Sequence, residues 1–283
     1  MDLCNINEIK ALLARHGFRF SKSMGQNFLI ESWVPQDIAE SSGAKEGYGV
    51  LEIGPGIGPL TKELAMRADR VVSVELDQSL LPILKETMEP YPNSEIVSGD
   101  ILKVDIPALV QEKFQGLTPI VCANLPYNIT SPVLTALIES GCFHAITVMI
   151  QREVAQRICA LPGTSEYGAF SVYCQYHTAP EILFDVPPEC FLPAPKVTSS
   201  VLRMVPKEKP VEVDDEAHFF RVVRAAFAQR RKTLLNSLMT SFGGEFTKEE
   251  LANAIADCDF QPNIRGERLS IRDFAMLSKR LRK

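Results

Sequence analysis

The spacing of apolar residues changes along the chain and predicts elements of two kinds. Residues 5–17 carry apolar side chains at helical spacing, which predicts a short helix ending at Gly17. From Val50 onwards, short apolar runs alternate with helical stretches, and strands are predicted over residues 50–53, 71–75, 95–97, 120–123 and 146–150. This alternation predicts a parallel α/β sheet with right-handed crossovers and helices on both faces.

The pattern becomes purely helical towards the end of the chain. Residues 186–195 contain four prolines and are expected to form an ordered, extended loop, while residues 205–213 resemble a linker. Beyond it we predict a long helix over residues 215–239, and capping boxes at Thr247-x-x-Glu250 and Ser270-x-x-Asp273 predict two more. The predicted domains are therefore residues 1–205, with a basic arm over about residues 1–28, and residues 206–283.

Composition excludes several classes of protein. The chain has 283 residues, 46% hydrophobic and 23% charged, which is typical of globular proteins rather than disordered or fibrous ones. No apolar run approaches the roughly 20 residues of a membrane helix, and the N-terminus lacks a signal-peptide pattern. The seven cysteines form no C-x-x-C pair and the four histidines are scattered. We therefore expect no metal site, a cytoplasmic location and no more than a monomer.

The charge is distributed unevenly along the chain. The net charge of −5 argues against a nucleic-acid partner only if the charge is averaged over the whole chain. Residues 204–283 hold 15 Lys and Arg against 12 Asp and Glu, whereas residues 1–203 hold 15 against 23. This asymmetry suggests a cationic tail that contacts a polyanion, and the alternative is an ordinary solvated helix surface.

A glycine-rich segment follows the first predicted strand and opens a helix. Its sequence is Glu52-Ile-Gly-Pro-Gly-Ile-Gly58, in which Gly54 and Gly56 allow the backbone to approach a ligand. Glu75 ends the next strand, where a carboxylate can accept hydrogen bonds from ribose hydroxyls, and Asp100 follows the third strand. The three together favour an adenosine-containing cofactor. The E-x-G-x-G-x-G form resembles motif I of S-adenosylmethionine-dependent methyltransferases more than the dehydrogenase fingerprint G-x-G-x-x-G.

The segment Asn124-Leu-Pro-Tyr127 follows the next strand. In isolation it would be an ordinary turn with a surface tyrosine, but after such a glycine loop it resembles the [DN]-P-P-Y motif of amino-group methyltransferases. The Asn124 side-chain oxygen and the Leu125 carbonyl can accept both hydrogens of an adenine amino group. Tyr127 offers a face on which an extruded base stacks. No general base is needed, so catalysis would consist mainly of positioning.

Nearly the whole chain is similar to one family. The matching segments include residues 22–29, the glycine loop, Asn124-Leu-Pro-Tyr-Asn-Ile-Thr-Ser-Pro132, Phe191-x-Pro-x-Pro-Lys196 and Gln229-Arg-Arg-Lys232. On these motifs the chain resembles the small-subunit (16S) ribosomal RNA adenine N6,N6-dimethyltransferases, the kasugamycin-sensitivity enzymes. The resemblance implies a Rossmann-like class I methyltransferase domain followed by a small all-helical domain. It also implies S-adenosylmethionine as cofactor and dimethylation of two adjacent adenosines in the 3′-terminal hairpin of a partly assembled small subunit.

The resemblance also implies roles for individual residues. Cofactor contacts are expected from Asn27, Leu29, Gly54, Gly56, Glu75, Asp100, Ile101 and Asn124. The catalytic group is expected to be Asn124, Leu125, Tyr127 and Phe191, with a core role as the alternative for Phe191. The residues expected to contact RNA, chiefly its phosphates, are Lys22, Arg221, Arg224, Arg230, Arg231, Lys232, Arg265 and Arg268.

Three other functions remain as alternatives. A large-subunit adenine methyltransferase of the erythromycin-resistance kind shares the glycine loop and an N-[IL]-P-Y motif. A non-catalytic assembly factor would bind the subunit and check its maturation, although binding alone needs no loop that aligns an amine. A nicotinamide-dependent dehydrogenase is disfavoured by the glycine spacing and by the absence of an obvious proton-transfer histidine.

Overall fold

The computed structural model describes residues 1–20 and 26–282 and divides the chain into two units. The first unit comprises Met1–Ala155 and Glu181–Pro206, and the second comprises Gln156–Pro180 and Lys207–Lys283. The strands, numbered in chain order, are β1 (Phe28–Leu29), β2 (Tyr48–Ile53), β3 (Arg70–Glu75), β4 (Ser94–Ser98), β5 (Thr118–Asn124), β6 (Ile146–Gln151), β7 (Thr178–Val186), β8 (Phe191–Leu192) and β9 (Ser199–Pro206).

Seven of these strands form one sheet in the order β4-β3-β2-β5-β6-β9-β7. The five predicted strands pair in parallel, and β9 pairs antiparallel with β6. The prediction of a parallel α/β sheet is confirmed, with β7 and β9 as additions. Because the strand order reverses between β2 and β5, a crevice is expected at their carboxyl ends, where ligands bind in sheets of this type.

The helices in the first part of the chain bury apolar side chains. They are α1 (Ile6–Arg15), α2 (Trp33–Ser42), α3 (Pro59–Ala65), α4 (Leu81–Thr87), α5 (Ile106–Lys113), α6 (Thr130–Ser140) and α7 (Arg152–Cys159), the last of which runs into the second unit. The predicted N-terminal helix is confirmed, because Asn5 caps its start and Gly17, with a φ of 62°, follows its end. No helix within the described residues is both long and apolar enough to span a membrane.

The second unit contains helices packed around an aromatic core. They are α8 (Ala169–His177), α9 (Glu216–Phe227), α10 (Leu234–Phe242), α11 (Lys248–Ala256) and α12 (Ile271–Arg280). Both predicted capping boxes are present, at Thr247 with Glu250 and at Ser270 with Asp273. The aromatic rings of Phe219, Phe242 and Phe274 are fully buried between the helices.

The prediction of one helix over residues 215–239 is wrong, because the chain turns between α9 and α10. Thr233 begins a new helix, and its side chain accepts a hydrogen bond from the backbone N–H of Asn236. The Leu234 N–H donates to the Ile264 carbonyl at 2.7 Å instead of continuing the helix. The break between α9 and α10 is therefore made by a side-chain cap and by a contact with a distant part of the chain. The apolar periodicity continues through the segment and does not reveal it.

The second unit differs from the predicted 206–283 domain because it also contains Gln156–Pro180. The side chains of Tyr167, Val172 and Tyr176 are buried in its core. The Tyr167 hydroxyl donates to the Leu269 carbonyl at 3.0 Å, which ties the segment to the helical unit. The linker near residue 205 marks only the last of three points at which the chain passes between the units.

Candidate active site

A cleft at the carboxyl ends of β2, β3, β4 and β5 collects every residue predicted to bind the cofactor or to act in catalysis. These residues come from six separate stretches of the chain, and the fold brings the six stretches together around the cleft. Those lining the cleft are Asn27, Leu29, Gly54, Gly56, Glu75, Asp100, Ile101, Asn124, Leu125, Tyr127 and Phe191.

The glycine loop between β2 and α3 has a backbone that few other residues could adopt. Gly54 and Gly56 have φ angles of 67° and 64°, in the left-handed region that favours glycine. The Gly54 N–H donates to the Val74 carbonyl at 3.0 Å, which fixes the loop against β3. Around Gly54 the nearest atom to an added Cβ would be Pro126 Cδ, at 3.9 Å. The loop therefore leaves its backbone open to a ligand and lies beside the Asn124-Leu-Pro-Tyr127 segment.

Glu52 is the penultimate residue of β2, the strand before this loop, and sequence reasoning gave it no role in the site. Its carboxylate is buried and accepts hydrogen bonds from the Thr61 and Ser73 hydroxyls, at 2.6 and 2.7 Å. Burial raises the pKa of Glu52 to about 7, although both hydrogen bonds act in the opposite direction. The sequence signal that could have revealed this role is the position of Glu52 at the start of the E-x-G-x-G motif.

Glu75 and Asp77 provide carboxylates at the end of β3. The Glu75 Oε1 accepts the Asp77 N–H at 2.7 Å, and burial raises the pKa of Glu75. Asp77 also lines the cleft and accepts a hydrogen bond from Gln26, a contact across 51 residues that no local pattern predicts. Its carboxylate joins the N-terminal segment to the cofactor side of the cleft.

Asp100 follows β4 and lies beside Glu75. The Gly99 N–H donates to the Glu75 carbonyl at 2.9 Å, which holds the two strand ends together. The Asp100 Oδ1 accepts the Leu102 N–H at 3.1 Å, and Ile101 next to it is buried. A carboxylate beside an apolar side chain can receive an adenine ring and its amino group.

The Asn124-Leu-Pro-Tyr127 segment begins where β5 ends. The Leu125 N–H donates to the Met149 carbonyl at 3.1 Å, which anchors the loop to β6. The Tyr127 hydroxyl lies 2.7 Å from the Ser199 hydroxyl, and burial raises the pKa of Tyr127. The half-buried Asn124 side chain and the Tyr127 ring both line the cleft.

Phe191 reaches the cleft through a short ladder that the sequence did not predict. Strands β1 and β8 pair antiparallel, with Phe28 opposite Leu192 and Leu29 opposite Phe191. Phe191 is only 3% exposed and belongs to the core cluster that contains Leu29. The phenylalanine therefore has a core environment and at the same time contributes to the wall of the cleft.

Two of the cations predicted to contact RNA have partners within the second unit. The Arg221 guanidinium lies 4.2 Å from the centre of the Phe242 ring and is ion-paired with Glu245. Arg230 donates to the carbonyls of Ser165 and Tyr167, the latter at 3.1 Å.

The Arg268 guanidinium lies close to Gly163, since its Nη1 would be 3.2 Å from a Cβ added to that glycine. Six members of the predicted set are exposed, namely Arg224, Arg230, Arg231, Lys232, Arg265 and Arg268, while Lys22 lies outside the described residues.

Two turns of the second unit meet at the C-terminal end of α9. Gly266 lies so close to Ala226 that an added Cβ would be 2.6 Å from the Ala226 carbonyl oxygen. The hydrogen bond from Leu234 to Ile264 joins the same two turns. Several exposed cations on these turns are therefore neighbours in space, among them Arg231, Lys232 and Arg265.

The parallel sheet, the open glycine loop and the acidic residues at the next two strand ends define an S-adenosylmethionine-dependent methyltransferase. The donors and acceptors fit that cofactor, since an open loop backbone and two carboxylates match its amino-acid, ribose and adenine parts. The family model described as ribosomal RNA adenine dimethylase matches residues 17–279, and the chain belongs to this family. The predictions of fold class, enzyme class and cofactor are thereby confirmed.

Individual relatives agree with this assignment. A ribosomal RNA small subunit methyltransferase A from Shouchella clausii is 46% identical over 283 residues, covering 99% of this chain and 96% of that protein. A dimethyladenosine transferase from Plasmodium falciparum is 26% identical with a TM-score of 0.73, covering 88% of this chain and 95% of that one. The 23S rRNA methyltransferase ErmE is 26% identical with a TM-score of 0.67, covering 90% and 99%.

Membership of this family excludes the nicotinamide-dependent dehydrogenase. Among the described residues, no group of three or more His, Cys, Asp and Glu side chains is arranged to hold a metal ion.

Proposed function

We propose that this chain transfers methyl groups from S-adenosylmethionine to N6 of two adjacent adenosines in the 3′-terminal hairpin of small-subunit RNA. The observation that carries the proposal is the position of the Asn124-Leu-Pro-Tyr127 segment, which lies at the end of β5 beside the glycine loop, with Pro126 Cδ 3.9 Å from an added Gly54 Cβ. An amine held by this segment would lie next to the bound cofactor. Greater similarity to small-subunit relatives than to ErmE favours the small subunit as substrate.

The acceptor amine is activated by its hydrogen bonds. An adenine N6 is a poor nucleophile because its lone pair is delocalised into the ring. The Asn124 side-chain oxygen and the Leu125 carbonyl accept its two hydrogens and favour a tetrahedral nitrogen. Tyr127 stacks on the extruded base, a contact worth roughly 1–3 kcal/mol, and Phe191 provides the second wall. The methylated nitrogen is a strong acid, so its proton leaves to solvent without a dedicated base.

The cofactor is held by the opposite side of the cleft. When bound, S-adenosylmethionine supplies an electrophilic methyl group on its sulfonium. Glu75 accepts hydrogen bonds from the ribose hydroxyls, and Asp100 accepts one from the adenine amino group beside Ile101. The backbone at Gly54 and Gly56 faces the amino-acid part, and the segment Asn27 to Leu29 covers the site.

The second unit provides the surface for RNA phosphates. The exposed guanidinium and ammonium groups of Arg231, Lys232 and Arg265 lie on two adjoining turns, with Arg224 on α9. Such contacts position an RNA without reading its bases. Arg221 and Arg230 already have internal partners, so RNA phosphates would compete with those contacts. The exposed Arg268 is proposed to contact the phosphates as well. Lys22, which lies outside the described residues, is also proposed to contact the RNA.

The partner would be a precursor of the small ribosomal subunit, bound by one copy of the chain in the cytoplasm. We propose that the predicted domain over residues 1–205, which contains the first unit except for Pro206, is catalytic. The predicted domain over residues 206–283, which forms most of the second unit, would bind the RNA.

Purified protein, labelled S-adenosylmethionine and subunits lacking the modification test the proposal. Small and large subunits are supplied separately, and methylated nucleotides are mapped by mass spectrometry. We expect dimethyladenosine at two neighbouring positions of the small-subunit 3′ hairpin. Label confined to the large subunit would favour the erythromycin-resistance alternative. Tight binding to the small subunit without methyl transfer would favour the assembly factor.

A further inference from the structure

The Tyr127 hydroxyl has a buried partner outside the family motif discussed above. Its oxygen lies 2.7 Å from the Ser199 hydroxyl, 72 residues further along the chain. Ser199 is completely buried at the start of β9, where it lies opposite Gln151 of β6. The Arg152 N–H donates to the Thr198 carbonyl at 3.0 Å, so the backbone at the serine is anchored to the end of β6.

The hydrogen bond holds the far end of the tyrosine ring. The backbone of Tyr127 is anchored as well, because the Thr130 hydroxyl donates to the Tyr127 carbonyl at 3.3 Å. Any rotation of the ring about its Cα–Cβ bond would break the contact with Ser199. Burial raises the pKa of Tyr127, so the phenol stays protonated and can form this bond throughout the neutral range.

We propose that Ser199 is a positioning residue for the acceptor adenine, which it acts on by fixing the position of the Tyr127 ring. The proposal rests on the proposed function, in which Tyr127 is the stacking face. Ser199 touches the tyrosine rather than the reacting atoms. Its effect should therefore appear in the use of the RNA substrate and leave the binding of the cofactor unchanged.

The next residue in the strand provides a matched control. Ser200 is also completely buried, and its hydroxyl donates to the Asp185 carboxylate at 2.6 Å. Ser200→Ala removes a buried hydroxyl and one hydrogen bond from the same strand without touching Tyr127. A purely structural role for Ser199 would make the two alanine variants behave alike.

The test compares Ser199→Ala, Ser199→Thr, Ser200→Ala, Tyr127→Phe and the Ser199→Ala/Tyr127→Phe double variant. We measure kcat and KM for unmethylated small subunits at saturating cofactor, and the cofactor Kd by calorimetry. Ser199→Ala should lower kcat/KM about tenfold, equivalent to about 1.4 kcal/mol, with the cofactor Kd within about twofold. Ser199→Thr keeps the hydroxyl and should restore most of the loss, and Ser200→Ala should match the unmodified protein.

Coupling between the two residues decides whether Ser199 acts through the tyrosine. Tyr127→Phe keeps the ring but removes the same bond, so the double variant should be no worse than the poorer single variant. Equal losses in Ser199→Ala and Ser200→Ala, multiplying losses in the double variant, or an unchanged kcat/KM in Ser199→Ala would overturn the proposal. If Ser199→Ala fails to fold, Tyr127→Phe tests the same bond, and its full activity would also overturn it.

The two proposals fail in different ways. Absence of methyl transfer by the unmodified protein would contradict the proposed function. Normal transfer combined with an unaffected Ser199→Ala would contradict only the role of Ser199.

Discussion

Carboxylates dominate the electrostatics of the cofactor side of the cleft. Burial raises the pKa of Glu52 and of Glu75, and a neighbouring acid raises each further: Glu75 acts on Glu52, and Asp77 acts on Glu75. A negative field of this kind is complementary to the sulfonium and ammonium groups of S-adenosylmethionine. The same residues make protein stability depend on pH.

Glu52→Gln should flatten the pH dependence of stability in the neutral range. Because the folded-state pKa of Glu52 lies near 7, above its ordinary 4.5, its contribution is fully present below pH 4.5 and is lost as the pH rises through about 7. The unmodified protein should therefore lose up to about 3 kcal/mol relative to the variant over this range. Denaturant unfolding at several pH values measures this difference. Parallel curves for the two proteins would show that Glu52 does not titrate there.

Gly56→Ala should weaken cofactor binding as well as stability. Its φ is 64°, and an added Cβ would meet the Phe28 ring at 3.4 Å in the wall of the cleft. Gly116→Ala is the control, because Gly116 has a φ of 75° but no atom within 4 Å of an added Cβ. Both should lose about 1–2 kcal/mol of stability through backbone strain, while only Gly56→Ala should bind the cofactor about tenfold less tightly by calorimetry. Equal cofactor affinities would contradict the account.

At the scale of elements, the features predicted correctly are those that depend on residues close together in the sequence. The parallel strands contain short apolar runs, and the Thr247 and Ser270 caps are contained within four residues, so both were predicted. The ladder between β1 and β8 was not, because two-residue strands have no periodicity. Likewise Ser199 and Asp77 gain their roles from partners 72 and 51 residues away. The break after α9 depends on Ile264, which is also distant in sequence.

Gly266→Ala should destabilise the junction of the two basic turns. An added Cβ would lie 2.6 Å from the Ala226 carbonyl oxygen, a backbone atom that cannot move aside without shifting α9. Gly244→Ala, with no atom within 4 Å, is the control. We expect a loss of about 1–3 kcal/mol for Gly266→Ala and faster amide exchange over residues 228–233. Unchanged exchange there would contradict the contact.

At the scale of the whole molecule, acidic and basic residues are distributed unevenly between the two parts of the chain. Residues 1–203 carry the excess of acids and include the cofactor cleft, whereas residues 204–283 carry 15 Lys and Arg against 12 acids. The net charge of −5 therefore conceals a surface suited to phosphates. The uneven distribution of charge could be predicted from the sequence. The close approach of the two turns that carry Arg231, Lys232 and Arg265 could not.

Replacing Arg231, Lys232 and Arg265 together by glutamine should weaken subunit binding in a salt-dependent way. Each lost phosphate contact lowers the slope of log affinity against log salt by about 0.7–0.9, so the triple variant should lose about two units. Arg282→Gln, which removes an exposed cation paired with Asp214, is the control. Filter binding of small subunits at several salt concentrations measures the slopes. An unchanged slope in the triple variant would place the RNA elsewhere.

The most direct test of the central claim is the single-turnover rate of methyl transfer by Asn124→Ala and Asn124→Asp on unmethylated small subunits. Asn124→Ala removes an acceptor that aligns the amine, and the rate should fall roughly 100- to 1000-fold while subunit binding is retained. Asn124→Asp keeps an acceptor oxygen and should lose much less. A rate for Asn124→Ala within about twofold of the unmodified protein, or equal losses in both variants, would contradict the account.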